Sequence, residues 1–107
     1  MPETTKHAAD YEVLSPWPYA DPVPARGITP RLASMEGKTI GLFANGKRAA
    51  VPILAALERE LTARFPTLKI SWYKCSVFNT PEILTEGKAK FEAWVHSVDG
   101  VALTVGD

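Results

Sequence analysis

The chain has 107 residues, with twelve basic and twelve acidic side chains, a formal net charge of zero and a hydrophobic fraction of 46%. That length holds one domain at most. The balanced charge excludes the basic field of a nucleic-acid binder and the polybasic block of a lipid-surface segment, and no run is apolar enough for a membrane span.

The N-terminus lacks an apolar core of the kind that marks a secretory signal. Cys75 is the single cysteine, so no intramolecular disulfide forms. Both features fit a reducing cytoplasm, and a cytoplasmic location is expected.

Six of the nine prolines fall within the first 30 residues. Each proline fixes its own φ and pushes its predecessor towards extended geometry. Residues 1–36 are therefore expected to form an extended, proline-rich arm. A polar stretch, Met1 to Asp10, opens it. Tyr11, Trp17 and Tyr19 follow, an aromatic content unlike that of a purely disordered tail, so the arm reads as one that docks on a surface.

Residues 37–107 read as a compact βαβαβ unit. Thr39–Phe43 is a short β-prone run. Ala44-Asn45-Gly46-Lys47 is a loop. A helix is expected from about Arg48 to Phe65, because Leu54, Leu57, Leu61 and Phe65 recur at three and four residues on one face. Pro52 fits only in a first turn, which places the helix start near Ala49 or Val51. Leu68–Lys74 alternates apolar and polar for most of its length, the period of a strand. Cys75–Asn79 is a second loop. Thr80-Pro81-Glu82 has the form of a helix start, with Thr as cap, Pro at the first position and an acid in the first turn. That helix is expected to run to about Ser97, with Leu84, Phe91, Trp94 and Val95 inward. Asp99-Gly100 turns the chain into a last strand, Val101–Val105.

Strands separated by helices imply a parallel sheet with right-handed crossovers. The expected strand order is 2-1-3, half of a doubly wound, Rossmann-like domain with flanking helices. The third strand is then an open edge, which a lone monomer rarely leaves unprotected. A core of about 70 residues is also marginal by itself. A second protein subunit that completes the sheet is the expected partner.

In such sheets ligands bind beyond the carboxyl ends of the strands. The loop after the first strand offers Asn45, Gly46 and Lys47 at a helix N-terminus, where free backbone N–H groups and positive charge suit a small anionic substrate. The same residues read equally as a plain turn, since Asn-Gly tolerates positive φ. Cys75 follows the second strand at the same end. It reads as a nucleophile or mixed-disulfide partner whose thiolate Lys74 and the next helix N-terminus would favour, or as a small semi-buried residue. Gly106 and Asp107 follow the third strand at the same rim. His7 and His96 have no ligand-spaced neighbours, so no metal site is expected. No organic cofactor is named by any motif.

Gly37–Lys47 with the amphipathic helix to Phe65, and the closing Asp99–Asp107, resemble the N-terminal half of UGSC-family (seleno)proteins. The resemblance spans about residues 37–107. The family's signature, selenocysteine or cysteine followed by Gly-Ser-Cys, would come directly after Asp107. A selenocysteine codon read as a stop, a fold divided between two genes, or loss of the signature each account for its absence. What the resemblance implies is redox or nucleophilic chemistry at a selenol or thiol with a neighbouring cysteine. Asn45, Gly46, Lys47, Gly106 and Asp107 would surround that centre. Two functions stand. One is the small subunit of a heteromeric thiol- or selenol-dependent enzyme, performing reduction or addition/elimination on a small anionic substrate. The other is a non-catalytic module that docks through its arm and open edge.

Overall fold

A computed structural model describes residues 10–77 and 79–106. The expected Met1–Asp10 stretch therefore falls almost wholly outside the described residues, as do Phe78 and Asp107. Residues 10–34 form neither helix nor strand and are exposed throughout.

The rest of the chain runs β1 (Thr39–Ala44), α1 (Ala50–Arg64), β2 (Lys69–Lys74), a short 3-10 turn (Glu82–Leu84), α2 (Lys88–Ser97) and β3 (Gly100–Thr104). The sheet is three-stranded and parallel, with order β2-β1-β3. Thr39 stands opposite Lys69, and Ile40 stands opposite Gly100. The central strand is thus the first in sequence. The expected order 2-1-3 is the one observed.

Alternation along β1 divides its side chains between two layers. Ile40, Leu42 and Ala44 join Ala50, Leu54 and Leu68 in an aliphatic core. Leu42 and Leu54 are fully buried there. Leu57, Leu61 and Phe65 pack around this core, as their helical spacing requires. Ala102 of β3 packs against it as well. Pro52 is the third residue of α1, inside the first turn, where its missing N–H costs no helical hydrogen bond.

The other layer is aromatic. Phe43 stacks on Tyr73 with ring centroids 5.7 Å apart. Phe91 and Trp94 of α2 close the group from above. Gly41 makes this possible: a Cβ at that position would stand 2.6 Å from Trp94 Cζ2. The indole N–H of Trp94 donates to Ser71 Oγ at 2.9 Å. That of Trp72 donates to Glu58 Oε2 at 2.8 Å on the α1 side.

Hydrogen bonds at the amino end of the sheet fix the register. Asp99 Oδ2 accepts from Thr39 N at 2.9 Å, and Asp99 N donates to Thr39 O at 2.8 Å. Lys69 N donates to Lys38 O at 2.8 Å.

The second helix differs from expectation. It begins at Lys88, not at Thr80, and Pro81 precedes a 3-10 turn instead of opening an α-helix. Thr80 makes no cap, and Leu84 is exposed, not inward. Val95 is 39% exposed. The cause is Glu82, whose side chain turns inward to bond Tyr73 and Ser76. That rotation carries Leu84 outward, and Gly87 then restarts the chain as the residue preceding α2.

Candidate functional site at the carboxyl ends of the strands

Three loops meet beyond β1, β2 and β3. Asn45 N donates to Thr104 O at 3.1 Å, and Cys75 N donates to Ala44 O at 3.0 Å, so the ladder extends one residue past β1 and one past β2. The Asn45 side chain then crosses the gap between β1 and β3, with Nδ2 donating to Val105 O at 2.6 Å. Its Oδ1 accepts from Lys47 N at 3.4 Å. Gly46 takes φ of 85°, which glycine adopts without strain. The chain then enters α1 through Ala49, with no side-chain cap and no acid in the first turn. Both ends of the Asn45 amide are therefore engaged within the protein, and Asn45 shapes the rim by tying two loops together.

In this strand order the direction of winding reverses between β1 and β3, the place where doubly wound folds hold ligands. Asn45, Gly46 and Gly106 all lie at that place. Asp107, expected beside them, lies outside the described residues. Lys47 sits at the start of the turn into α1, on the α1 side of the sheet.

A pocket of about 310 Å³ opens on the α2 side of the same rim, lined by Phe43, Asn45, Cys75, Val77, Asn79, Thr80, Pro81 and Glu82. That volume is at the lower end of the range for small-molecule sites. Cys75 is half-buried and free. Glu82 is only 5% exposed. Its Oε2 accepts from the Tyr73 hydroxyl at 2.5 Å and from Ser76 Oγ at 3.0 Å. Its Oε1 accepts from Ser76 N at 2.9 Å. The Thr85 hydroxyl donates to the Glu82 carbonyl oxygen at 2.7 Å.

These contacts set the titration of the group. The Tyr73 hydroxyl bond, with those from Ser76, holds the Glu82 carboxyl below its ordinary value in spite of burial. Burial, together with the bond and charge of Glu82, pushes the Tyr73 phenol up to about 12. Burial and then the Glu82 charge push the Cys75 thiol up, against a smaller pull from a backbone hydrogen bond. The expectation that Lys74 and a helix N-terminus would favour the Cys75 thiolate is overturned. Strand alternation puts Lys74 on the α1 side, and although Gly87 at the α2 N-terminus packs near Ser76 Oγ, the Glu82 carboxylate lies there too and acts on the thiol in the opposite sense.

The sequence model of the UGSC family matches residues 12–107. The chain belongs to the UGSC family. The match is longer than the resemblance legible in the residues alone, because it takes in most of the arm as well as the α/β unit. No significant match is found among curated proteins or solved structures.

In this UGSC-family chain the structure brings Asn45, Gly46, Cys75 and Gly106 to one rim. The sequence marks Glu82 only as an acid in a helical first turn, and not as a member of the site. The signal that could have found it is Tyr73, an aromatic on the strand face shared with Lys69 and Ser71, whose hydroxyl needs an acceptor once it is buried. Among the described residues no group of three or more His, Cys, Asp and Glu is arranged to hold a metal, and no helix is long and apolar enough to cross a membrane.

Proposed function

We propose that the chain is the small subunit of a heteromeric, thiol- or selenol-dependent enzyme, acting by reduction or addition/elimination on a small substrate with an anionic group. The observation that carries this reading is the Asn45–Val105 bridge, which holds the β1 and β3 loops together at the switch point of the sheet. In the family's order the reactive selenocysteine or cysteine follows Asp107. A longer form of the chain or a partner subunit supplies it, and Gly106 and Asp107 border it. Gly46 and Lys47, at an α1 N-terminus without an acid, bind the anionic group of the substrate. Cys75 lies at the same rim as the second sulfur, available for a mixed disulfide. The surroundings of this chain are cytoplasmic, where such thiols stay reduced.

A second reading, a non-catalytic assembly module, draws on exposure. Trp17 and Tyr19 of the arm are uncovered, and Val101 and Leu103 leave apolar surface on β3 at 48% and 55% exposure.

Purification of the tagged chain from its natural host, followed by native and intact mass, separates the two. A bound second polypeptide or a longer form that carries the thiol or selenol is expected, with turnover that falls on Lys47→Ala. A lone 107-residue species without a reactive partner overturns the enzyme reading. Association that survives Lys47→Ala but not removal of the arm supports the module.

A further inference from the structure

Charge is divided across the carboxyl rim of the sheet. The β1–α1 loop, with Lys47 and Arg48, leads to the α1 side. Alternation along β2 places Lys74 on that side too. On the α2 side, the pocket lining holds one charged group among the described residues, the Glu82 carboxylate, and no cation. The rest of the lining is amide, hydroxyl, thiol, aromatic and aliphatic.

We propose that this pocket takes the uncharged or cationic end of the substrate, and that the Glu82 carboxylate turns anionic groups away from it. The inference rests on the site just described and adds to it the chemical class of the ligand: a bipolar small molecule, anionic at the Gly46–Lys47 side and neutral or amine-bearing at the Cys75 side.

Three features support it. The carboxylate is nearly buried, so its field is weakly screened by water and salt. It stays ionised at neutral pH, because its carboxyl is held below the ordinary value by Tyr73 and Ser76. It is also fixed in place. Tyr73, Ser76 N and Ser76 Oγ take three of about four acceptor positions. A carboxylate so occupied acts on a ligand through its field more than by direct bonding. An anion entering the pocket meets this charge with no cationic side chain in the lining among the described residues; Lys90 of α2 lies outside the lining, over the Tyr73 ring at 5.7 Å from its centroid.

Cys75 is the chain's single cysteine and lines the pocket, so its rate of modification reads the local potential directly. The full chain is treated with two methanethiosulfonate reagents of similar size, one bearing a trimethylammonium group and one a sulfonate. In each case the Cys75 thiolate attacks the sulfenyl sulfur, a mixed disulfide forms and methanesulfinate leaves. Both reactions draw on the same thiolate fraction, so their rate ratio, normalised to a free small thiol, is independent of the thiol's pKa. The cationic reagent is expected to react about tenfold faster, because the carboxylate attracts one reagent and repels the other. Iodoacetamide against iodoacetate should show the same order.

Equal rates, a faster anionic reagent, or a Cys75 that none of the reagents labels in the folded chain overturns the proposal. In Glu82→Gln the ratio should fall towards one; a folded variant that keeps the ratio removes Glu82 as its source. If that variant loses its far-ultraviolet circular dichroism, the wild-type ratio between about 0.01 and 1 M salt decides instead. A buried charge keeps most of its effect over that range, whereas a surface charge loses it. A ratio that vanishes in high salt overturns the assignment to Glu82. The labelling requires no partner and no turnover, so its failure leaves the thiol-enzyme reading standing. Absence of a partner in the mass measurement leaves the charge preference standing.

Discussion

The two faces of the sheet are built on different principles. The α1 face is aliphatic and closed. Ile40, Leu42 and Ala44 meet Ala50 and Leu54, and Ala102 of β3 is covered as well. The α2 face is aromatic, polar and incomplete. None of the residues of α2 is fully buried, and the helix covers β1 and β2 while Val101 and Leu103 of β3 stay open. The closed face supplies stability; the open one carries the carboxylate network and the pocket. A small domain here separates what holds it together from what it presents.

The largest blow to this division should come from the closed face. Leu54→Ala removes a fully buried side chain and should cost about 2–5 kcal/mol, read as a lowered urea midpoint. In a core this small that is a large share of the total stability. A loss under 1 kcal/mol would mean that the α1 face is not the stabilising one.

On the open face, Gly41→Ala sets a methyl against the Trp94 ring at 2.6 Å. The expected cost is about 1–3 kcal/mol, with loss of the Trp94–Ser71 bond seen as faster exchange of the indole proton by NMR. Glu82→Gln should also cost about 1–3 kcal/mol, since a charge-assisted acceptor of buried donors is weakened.

Its pH signature gives a sharper reading. The folded chain binds a proton on Glu82 less readily than the unfolded chain. The contribution of Glu82 is thus present above the ordinary carboxylate range, about 4.3, and is lost as pH falls through the lower folded value. Glu82→Gln should flatten the acid limb of a stability–pH curve.

Tyr73→Phe is expected to cost less, about 1 kcal/mol, and to act at the other limb. The folded phenol titrates at about 12, above its ordinary value. Its stabilisation is present below about pH 10 and is lost as pH rises towards 12; the phenylalanine variant should lack that loss. Smallest of all, removal of residues 1–31 should change the unfolding free energy by no more than about 0.5 kcal/mol, because the described part of that segment is exposed throughout. A larger change would show that the arm belongs to one of the two faces.

The closed face was legible in the sequence. The spacing of Leu54, Leu57, Leu61 and Phe65 and the alternation of Leu68–Lys74 follow from burial, which writes itself as period. The open face was less so. Helix-start chemistry at Thr80-Pro81-Glu82 was present, yet a tertiary bond from Tyr73 redirected Glu82 and shortened the helix. Such a bond joins residues of different elements and leaves no periodic trace. The rim was half legible: loop position brought Asn45 and Cys75 to one end of the sheet, but spacing alone did not show that the Asn45 amide is spent on Val105 or that the neighbouring charge is negative.

The central position of the first strand has a consequence during synthesis. β1 leaves the ribosome with both of its edges open. It gains β2 after about thirty more residues and β3 only after about sixty. At ~5–20 residues per second, β1 waits several seconds for its second neighbour. Through that interval the sheet on which α1 and α2 pack lacks its third strand. Nascent chains stalled before Gly100 should therefore be more protease-sensitive and more often bound by chaperones than those that carry β3.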